Sequence, residues 1–193
     1  MAKLPDRGDE TDGVLIQRIA AGSHEAFHGL MGRHLSFVLE LAQRLVGRRA
    51  DADEIAQEAF LRVWTRAPYW RPDGEAQFRT WLYRVVVNLC LDRRRQRVSL
   101  PLEEADAVCD PAPDGLEQAA QGEISRLIAR ALDGLPAKQR AAIILCYYSE
   151  VGGEEAARLL NVSQSALESL LVRARKGLRQ RMDALLEGKG TER

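Results

Sequence analysis

Apolar residues recur every three or four positions along most of this chain. That spacing places them on one face of a helix and predicts a series of amphipathic α-helices. The signal for a β-hairpin, a turn such as Asn-Gly between alternating apolar runs, does not occur in the sequence. The sequence therefore predicts an all-α fold. The predicted apolar faces include Val14, Phe27, Ile55, Trp81, Ile124, Ile143 and Leu167, with breaks at Gly22-Ser23, Gly47 to Asp51 and Gly152-Gly153 and a helix start at Pro136.

Charge is unevenly distributed, although the 28 basic and 28 acidic side chains of the 193 residues cancel. Residues 98–123 contain seven acids, three prolines and no base, a composition typical of an extended linker. Residues 79–97 contain six arginines against one aspartate, and residues 164–181 contain five bases against one glutamate. Two basic lobes on an acidic tether favour binding to a polyanion.

Composition argues against several classes of protein. With 46% hydrophobic and 29% charged residues, the chain is predicted to fold rather than remain disordered. The sequence has no run of about 18 apolar residues and begins with a polar, acidic segment, so neither membrane insertion nor a secretory leader is predicted. Three widely spaced cysteines argue against a disulfide scaffold and a cysteine-built zinc site, and favour a cytoplasmic location.

The sharpest motif has the spacing of a helix-turn-helix unit. Ala157 is a small residue suited to a helix crossing, Asn161 tolerates a left-handed turn, and Ser163 can cap the next helix. Leu167 and Leu170 then fall at its buried positions. A solvated helical hairpin is the alternative to DNA binding. The side chains expected to face a major groove or its phosphates are Gln164, Ser165, Glu168, Ser169, Arg173, Arg175, Lys176 and Arg179.

Aromatic residues are concentrated upstream of this motif. Seven of the 11 lie between Phe60 and Tyr83, interleaved with arginines. Aromatic faces stack unpaired bases while arginines follow the backbone, so the segment favours single-stranded nucleic-acid binding. Core packing is the alternative, and we expect about half of these aromatic residues to be structural.

The histidines match a zinc-protease pattern only superficially. His24 and His28 are the first and last residues of a His-Glu-x-x-His motif, and His34 has the spacing of a third ligand. Met31 occupies the position where such enzymes have a helix-breaking glycine. On an unbroken helix His34 lies about 15 Å along the axis from His24, too far to share a metal. We therefore predict no metal, no other cofactor and no enzymatic activity.

Several long motifs, in order, resemble bacterial sigma factors of the extracytoplasmic-function (ECF) group in the sigma-70 family. Ala52–Trp64, Phe78–Val85 and Asn88–Arg95 resemble region 2, and Leu135–Arg140 with the helix-turn-helix through Arg179 resembles region 4. The resemblance covers about residues 12 to 186. It implies two small helical domains, region 2 (12–97) and region 4 (124–187), joined by a flexible acidic linker (98–123), with disordered ends at 1–11 and 188–193.

The resemblance implies that the protein binds core RNA polymerase and directs it to promoters, melting the −10 element and reading the −35 element. By this resemblance, the residues that bind the clamp helices of the polymerase β′ subunit are Asp53, Glu54, Gln57, Glu58 and Arg62. Those that bind the −10 element are Trp70, Phe78, Arg79, Trp81, Arg84, Asn88, Arg93, Arg94 and Arg95. Those that bind the −35 element are Gln164, Ser165, Glu168, Ser169, Arg173, Arg175 and Lys176. Many family members have a basic residue in place of Glu168, which implies a different −35 preference here.

The family resemblance also implies control by an anti-sigma factor, which is often membrane-linked. The chain itself is expected in the cytoplasm, near the nucleoid when active and near the membrane when held by such a partner. Two alternatives remain open. The chain could be a sigma mimic that sequesters an anti-sigma factor, or a stand-alone helix-turn-helix regulator.

Overall fold

The computed structural model describes residues 10–71, 78–98, 116–149 and 151–190. Within these ranges the chain is helical and has no strand, so the predicted all-α fold is confirmed. None of the helices in this part of the chain is long and apolar enough to span a bilayer. The helices are α1 (Asp12–Ala20), α2 (His24–Val46), α3 (Arg49–Arg66), α4 (Phe78–Val98), α5 (Leu116–Asp133), α6 (Ala137–Ile143), α7 (Gly153–Leu160) and α8 (Gln164–Gly190), with a 3₁₀ turn at Ala67–Tyr69 and a π-helical turn at Ile144–Tyr148.

Short breaks join α1, α2 and α3. The chain turns at Gly22 (φ +87°), and the Ser23 hydroxyl then caps α2 by accepting a 3.2 Å hydrogen bond from the Ala26 amide. Gly47 (φ +86°) ends α2 in a left-handed conformation that glycine adopts without strain. The break expected from Gly47 to Asp51 is shorter than predicted, because α3 already begins at Arg49 and Asp51 is buried in its first turn.

Helices α1 to α4 form an N-terminal bundle, in which α2 packs against α1, α3 and α4. Helices α5 to α8 form a second lobe, in which α8 packs against α5, α6 and α7. Both lobes bury most of the apolar positions that the sequence pattern predicts; Val14 and Ile124 are exceptions, with 41% and 56% of their surface exposed. Fully buried side chains include Leu30, Val38, Val46, Leu82 and Val86 in the first lobe and Ile144, Leu145, Leu160 and Leu167 in the second.

Helix α4 connects the two lobes because it is buried around most of its circumference. The predicted stripe that contains Leu82 and Val86 is buried, and so are Tyr83, Val87 and Cys90 at other angles around the helix. Helix α4 packs against α2 and α3 and also against α6 and α7. One hydrophobic core is therefore continuous from the N-terminal bundle into the second lobe, and a smaller cluster around Ala174 lies within the second lobe.

Part of the segment predicted as a linker is helical. Helix α4 extends to Val98 and α5 begins at Leu116, so residues 116–123 belong to α5. The rest of that segment, residues 99–115, lies outside the described residues. The termini predicted to be disordered lie outside them at 1–9 and 191–193, while α8 continues to Gly190.

Candidate nucleic-acid interface

The turn between α7 and α8 has the geometry that the helix-turn-helix spacing predicts. Asn161 adopts a left-handed conformation (φ 51°, ψ 56°) directly after α7. The amide of Val162 donates to the Ala157 carbonyl at 3.0 Å, which closes the turn. The Ser163 hydroxyl caps α8 by accepting a 3.2 Å hydrogen bond from the Ala166 amide. These bonds fix the direction in which α8 leaves α7.

Helix α8 buries one face and exposes the other. Leu167 and Ala174 are buried against the rest of the lobe, and Leu170, Leu171 and Leu178 are half-buried beside them. The predicted −35 residues are all exposed on the remaining surface: Gln164, Ser165, Glu168, Ser169, Arg173, Arg175 and Lys176. The helix therefore presents hydroxyl, amide and carboxylate groups near its N-terminus and cations further along.

Helix α3 carries the predicted polymerase-facing residues along its outer side. Asp53, Glu54 and Gln57 are exposed, while Glu58 and Arg62 are half-buried and form a 3.0 Å ion pair with each other. Leu61, 55% exposed, follows Gln57 by one helical turn. Leu61 is not among the residues predicted from the sequence, because an apolar residue beside Phe60 is typical of a core position. Its place on the helical face opposite the buried stripe is the signal that distinguishes it.

Three aromatic rings cluster where α4 begins. Trp70, Phe78 and Trp81 are in mutual contact, with ring centroids 5.6 to 5.9 Å apart. Phe78 is buried, whereas Trp70 and Trp81 are half-buried. The two tryptophans therefore keep ring surface that a base could stack against, and Phe78 packs beneath them.

The polar residues predicted for −10 recognition have different surroundings along α4. Arg79, Arg84, Asn88 and Arg95 are exposed. The guanidinium of Arg79 lies over the rings of Phe37 (5.5 Å) and Tyr83 (5.9 Å). The remaining two, Arg93 and Arg94, are each bound by acidic side chains.

Arg93 links α4 to α3 through two carboxylates. Its guanidinium donates to Asp51 at 3.0 Å and also to Glu54, one of the predicted polymerase-facing residues. The hydrogen bond to Glu54 is the largest cause that raises the pKa of Arg93. The structure thus joins a predicted DNA contact to a predicted polymerase contact.

Arg94 points into the second lobe. Its guanidinium donates to the Asp133 carboxylate at 2.9 Å, to the Asp133 carbonyl at 2.8 Å and to the Leu135 carbonyl at 3.3 Å. Only 14% of the side chain is exposed. The structure therefore does not bring Arg94 together with the exposed cations of α4.

The same carboxylate binds a second arginine, which the sequence analysis did not single out. Arg140, 3% exposed, donates to Asp133 at 2.6 Å and to the Arg44 backbone carbonyl at 2.8 Å. Burial lowers the pKa of Arg140 to about 10, which still leaves a cation at neutral pH. Burial alone would raise the pKa of Asp133, but Arg94 and Arg140 outweigh it and hold the pKa below its ordinary value. The signal in the sequence that could have indicated burial of Arg140 is its position directly before a long apolar run, residues 141–148.

The three histidines have separate environments. His24 stacks on Trp64 with ring centroids 4.8 Å apart, His28 is exposed, and His34 lies 2.8 Å from the Asp12 carboxylate. Helix α2 is unbroken through all three. Among the described residues no three metal-binding side chains are grouped as an ion would need.

Comparison with known proteins decides the family. Residues 30–99 match the family described as Sigma-70 region 2, and residues 125–178 match Sigma-70, region 4. The ECF RNA polymerase sigma factor SigM of Mycobacterium tuberculosis is 33% identical over 185 residues, covering 94% of this chain and 90% of SigM. The chain belongs to the ECF sigma factors. It is therefore a transcription initiation factor and not an enzyme.

Solved structures agree with the ECF sigma fold. CnrH, solved in complex with the cytosolic domain of CnrY, is 27% identical, with a TM-score of 0.64 and coverage of 91% of this chain and 99% of CnrH. The sigma factor RpoE of Bartonella quintana, solved with the anti-sigma factor NepR, shares the fold at 22% identity and a TM-score of 0.63, covering 81% of this chain and 96% of RpoE. In this ECF sigma factor, region 2 lies within the bundle that includes α4, and region 4 contains the helix-turn-helix of α7 and α8.

Proposed function

We propose that this ECF sigma factor attaches core RNA polymerase to promoters through three surfaces. Helix α3 docks on the clamp helices of the polymerase β′ subunit. The start of α4, together with Trp70 and Trp81, captures the melted −10 element. Helix α8 reads the −35 element in the major groove. The catalytic chemistry of RNA synthesis belongs to the polymerase.

The observation that carries this proposal is the exposed face of α8 behind a hydrogen-bonded turn. A recognition helix must bury one side and offer short polar side chains near its N-terminus to base edges. Gln164, Ser165 and Glu168 are exposed near the N-terminus of α8, and the exposed cations Arg173 and Lys176 further along are suited to phosphates. The left-handed, hydrogen-bonded turn and the cations on the exposed face favour DNA reading over a hairpin that serves only to pack.

The aromatic cluster supports the −10 assignment. Extruding a base from a duplex costs a few kcal/mol, and stacking must offset that cost. Base stacking on an aromatic side chain contributes about 1–3 kcal/mol per base. The half-exposed rings of Trp70 and Trp81 provide such a platform, and Arg79 and Arg84 add cations beside it.

The outer face of α3 supports the polymerase assignment. It combines exposed carboxylates with an exposed leucine, Leu61, at helical spacing. An apolar anchor surrounded by charged groups is typical of a protein–protein interface rather than of a nucleic-acid one. We expect a basic helical partner surface to fit this face.

An anti-sigma factor is the expected regulatory partner. The Bartonella sigma factor with this fold is bound by one. We place the protein in the cytoplasm, on the nucleoid when active and near the membrane where a membrane-linked anti-sigma factor holds it. No direct insertion of the chain into the membrane is proposed.

Transcription with purified core polymerase tests the proposal. Core enzyme from the same bacterium is incubated with genomic DNA, with and without this protein, and the RNA 5′ ends are sequenced. We expect new, defined start sites that share two upstream elements. Arg173→Ala should reduce initiation at these sites, whereas Arg158→Ala on α7, whose ion pairs lie within its own helix, should not.

The same experiment separates the alternatives. A sigma mimic would bind an anti-sigma factor yet produce no start sites. A stand-alone regulator would bind DNA without core polymerase and would change the use of existing start sites only. Either result would contradict the proposed function.

A further inference from the structure

A cluster of three charged side chains joins the two lobes where α4 meets the turn between α5 and α6. Asp133 lies at its centre and binds Arg94 from the N-terminal bundle and Arg140 from its own lobe. Arg140 also donates to the Arg44 carbonyl in α2. The cluster therefore contains hydrogen bonds that cross from one lobe to the other.

Arg94 differs from its neighbours in the direction of its bonds. Arg93 pairs with Asp51 within the N-terminal bundle, and Arg95 pairs with Asp92 within α4. Arg94 instead donates into the second lobe, where one carboxylate oxygen and two carbonyl oxygens accept from its guanidinium. The turn after α5 thus forms a binding site for the guanidinium group of Arg94.

We propose that Asp133 competes with promoter DNA for Arg94 and thereby latches the free protein in this closed arrangement. The proposal rests on the proposed function for its DNA part, because it takes Arg94 as a −10 contact. A carboxylate and a phosphate both bind a guanidinium through charge-assisted hydrogen bonds. Arg94 cannot satisfy both while it is buried in the second lobe.

The rest of the cluster holds Asp133 ready for this role. Arg140 is almost fully buried and binds the same carboxylate oxygen at 2.6 Å, so Asp133 is fixed in position and ionised within its own lobe. Capture of Arg94 by DNA requires α4 to separate from the α5–α6 turn. A DNA strand that binds only the separated form shifts the equilibrium toward it by its difference in affinity for the two forms.

Cys90 provides a probe of this separation. Cys90 is 1% exposed, on the helix that carries Arg94, and this burial raises the pKa of its thiol to about 12 although Arg140 and Arg94 lower it in part. The thiol can react with iodoacetamide only in an opened form, so its rate of alkylation reports the open population when opening is fast and reversible. Cys109 and Cys146 are replaced by serine so that Cys90 alone is measured.

The first measurement uses neither DNA nor polymerase, so it can fail independently of the proposed function. Arg94→Gln removes the bonds of the Arg94 guanidinium to the second lobe but leaves the Asp133–Arg140 pair and the bond from Arg140 to the Arg44 carbonyl intact. We expect it to accelerate alkylation of Cys90 about tenfold, the change for about 1.4 kcal/mol. Arg158→Gln, which removes an arginine paired only within α7 in the structure, is the control and should leave the rate unchanged. An equal rate in Arg94→Gln and the control would overturn the latch.

The second measurement tests competition with DNA. The probe is a fluorescent single-stranded oligonucleotide carrying the −10 sequence of a start site found in the transcription experiment. Asp133→Asn should bind it several-fold more tightly than the parent protein, because the competitor is gone, whereas Arg94→Gln should bind it more weakly. A purely structural bond would move both variants in the same direction, and that result would overturn the competition.

Asp92→Asn controls for the loss of one negative charge. Asp92 pairs with Arg95 within α4, so its removal changes the net charge near the DNA without touching the second lobe's bond to Arg94. Asp133→Asn must exceed this control in affinity for the proposal to stand. Asp133→Asn would misfold if Arg140 cannot do without its partner, and circular dichroism would show this. In that case the rate of Cys90 alkylation is measured in the parent protein with and without the oligonucleotide. If the oligonucleotide does not accelerate alkylation, the competition is overturned.

Discussion

Asn161 fixes the angle between the two helices of the helix-turn-helix unit through its own backbone. Its φ of 51° is the one positive value at a non-glycine position in the described part of the chain. For most residues the left-handed backbone conformation costs roughly 1–2 kcal/mol, whereas asparagine adopts it readily. We expect Asn161→Val to lower the free energy of unfolding by about that amount, measured by chemical denaturation.

The matched substitution at the same position is Asn161→Gly. Glycine also adopts positive φ without a steric cost, and the Asn161 side chain is exposed, so little packing is lost. Stability close to that of the parent would assign the effect of valine to the backbone. A loss as large with glycine as with valine would assign it to the asparagine side chain instead.

At the scale of one helix, α8 carries a carboxylate, Glu168, at a position predicted to read bases. Glu168 is exposed on the predicted reading face and can accept a hydrogen bond from a cytosine amino group. Arginine in its place would favour guanine, and each such contact is worth about 1–3 kcal/mol of discrimination. We expect Glu168→Arg to change the preferred −35 sequence in transcription from a library with that element randomised.

A phosphate contact on the same helix should behave differently. Arg175 is exposed further along α8, so Arg175→Ala should weaken initiation on all sequences without changing their ranking. Together the two variants separate base reading from backbone binding. An unchanged −35 preference in Glu168→Arg would remove Glu168 from the residues that read bases.

Helices α4 and α8 show how far sequence patterns reach. The buried and exposed faces of α8, its turn and its cap were all predictable, because helical periodicity and the residues of the turn itself encode them. In α4 the stripe with Leu82 was predictable, but burial of Tyr83, Val87 and Cys90 was not. That second buried surface depends on α6 and α7, which are distant in sequence, and periodicity carries no information about them.

The charged cluster escaped prediction for the same reason. Arg94 stands in a run of arginines that reads as a solvated, DNA-facing surface, yet it is mostly buried against Asp133, 39 residues away. Nothing in local spacing distinguishes it from Arg95. The pairing is decided by how the two lobes meet, and thus at the scale of the whole molecule.

That meeting of lobes sets an expectation for the free protein. The closed arrangement holds Arg94 away from DNA and packs α4 against the second lobe. The formal net charge is zero, so attraction to DNA is confined to the two basic segments and is offset by acidic residues elsewhere in the chain. We therefore expect the isolated chain to bind promoter duplex weakly, and to bind tightly and specifically only with core polymerase.

Core polymerase would act by holding regions 2 and 4 at the separation of the two promoter elements. Each region then binds at the effective concentration set by the other, and two weak contacts become one strong complex. Gel-shift titrations at fixed salt, with and without core enzyme, measure this directly; the salt must be stated because phosphate contacts depend steeply on it. A tight, sequence-specific complex with the isolated chain would mean that the two lobes are already separated in the free protein. The closed arrangement would then not limit DNA binding.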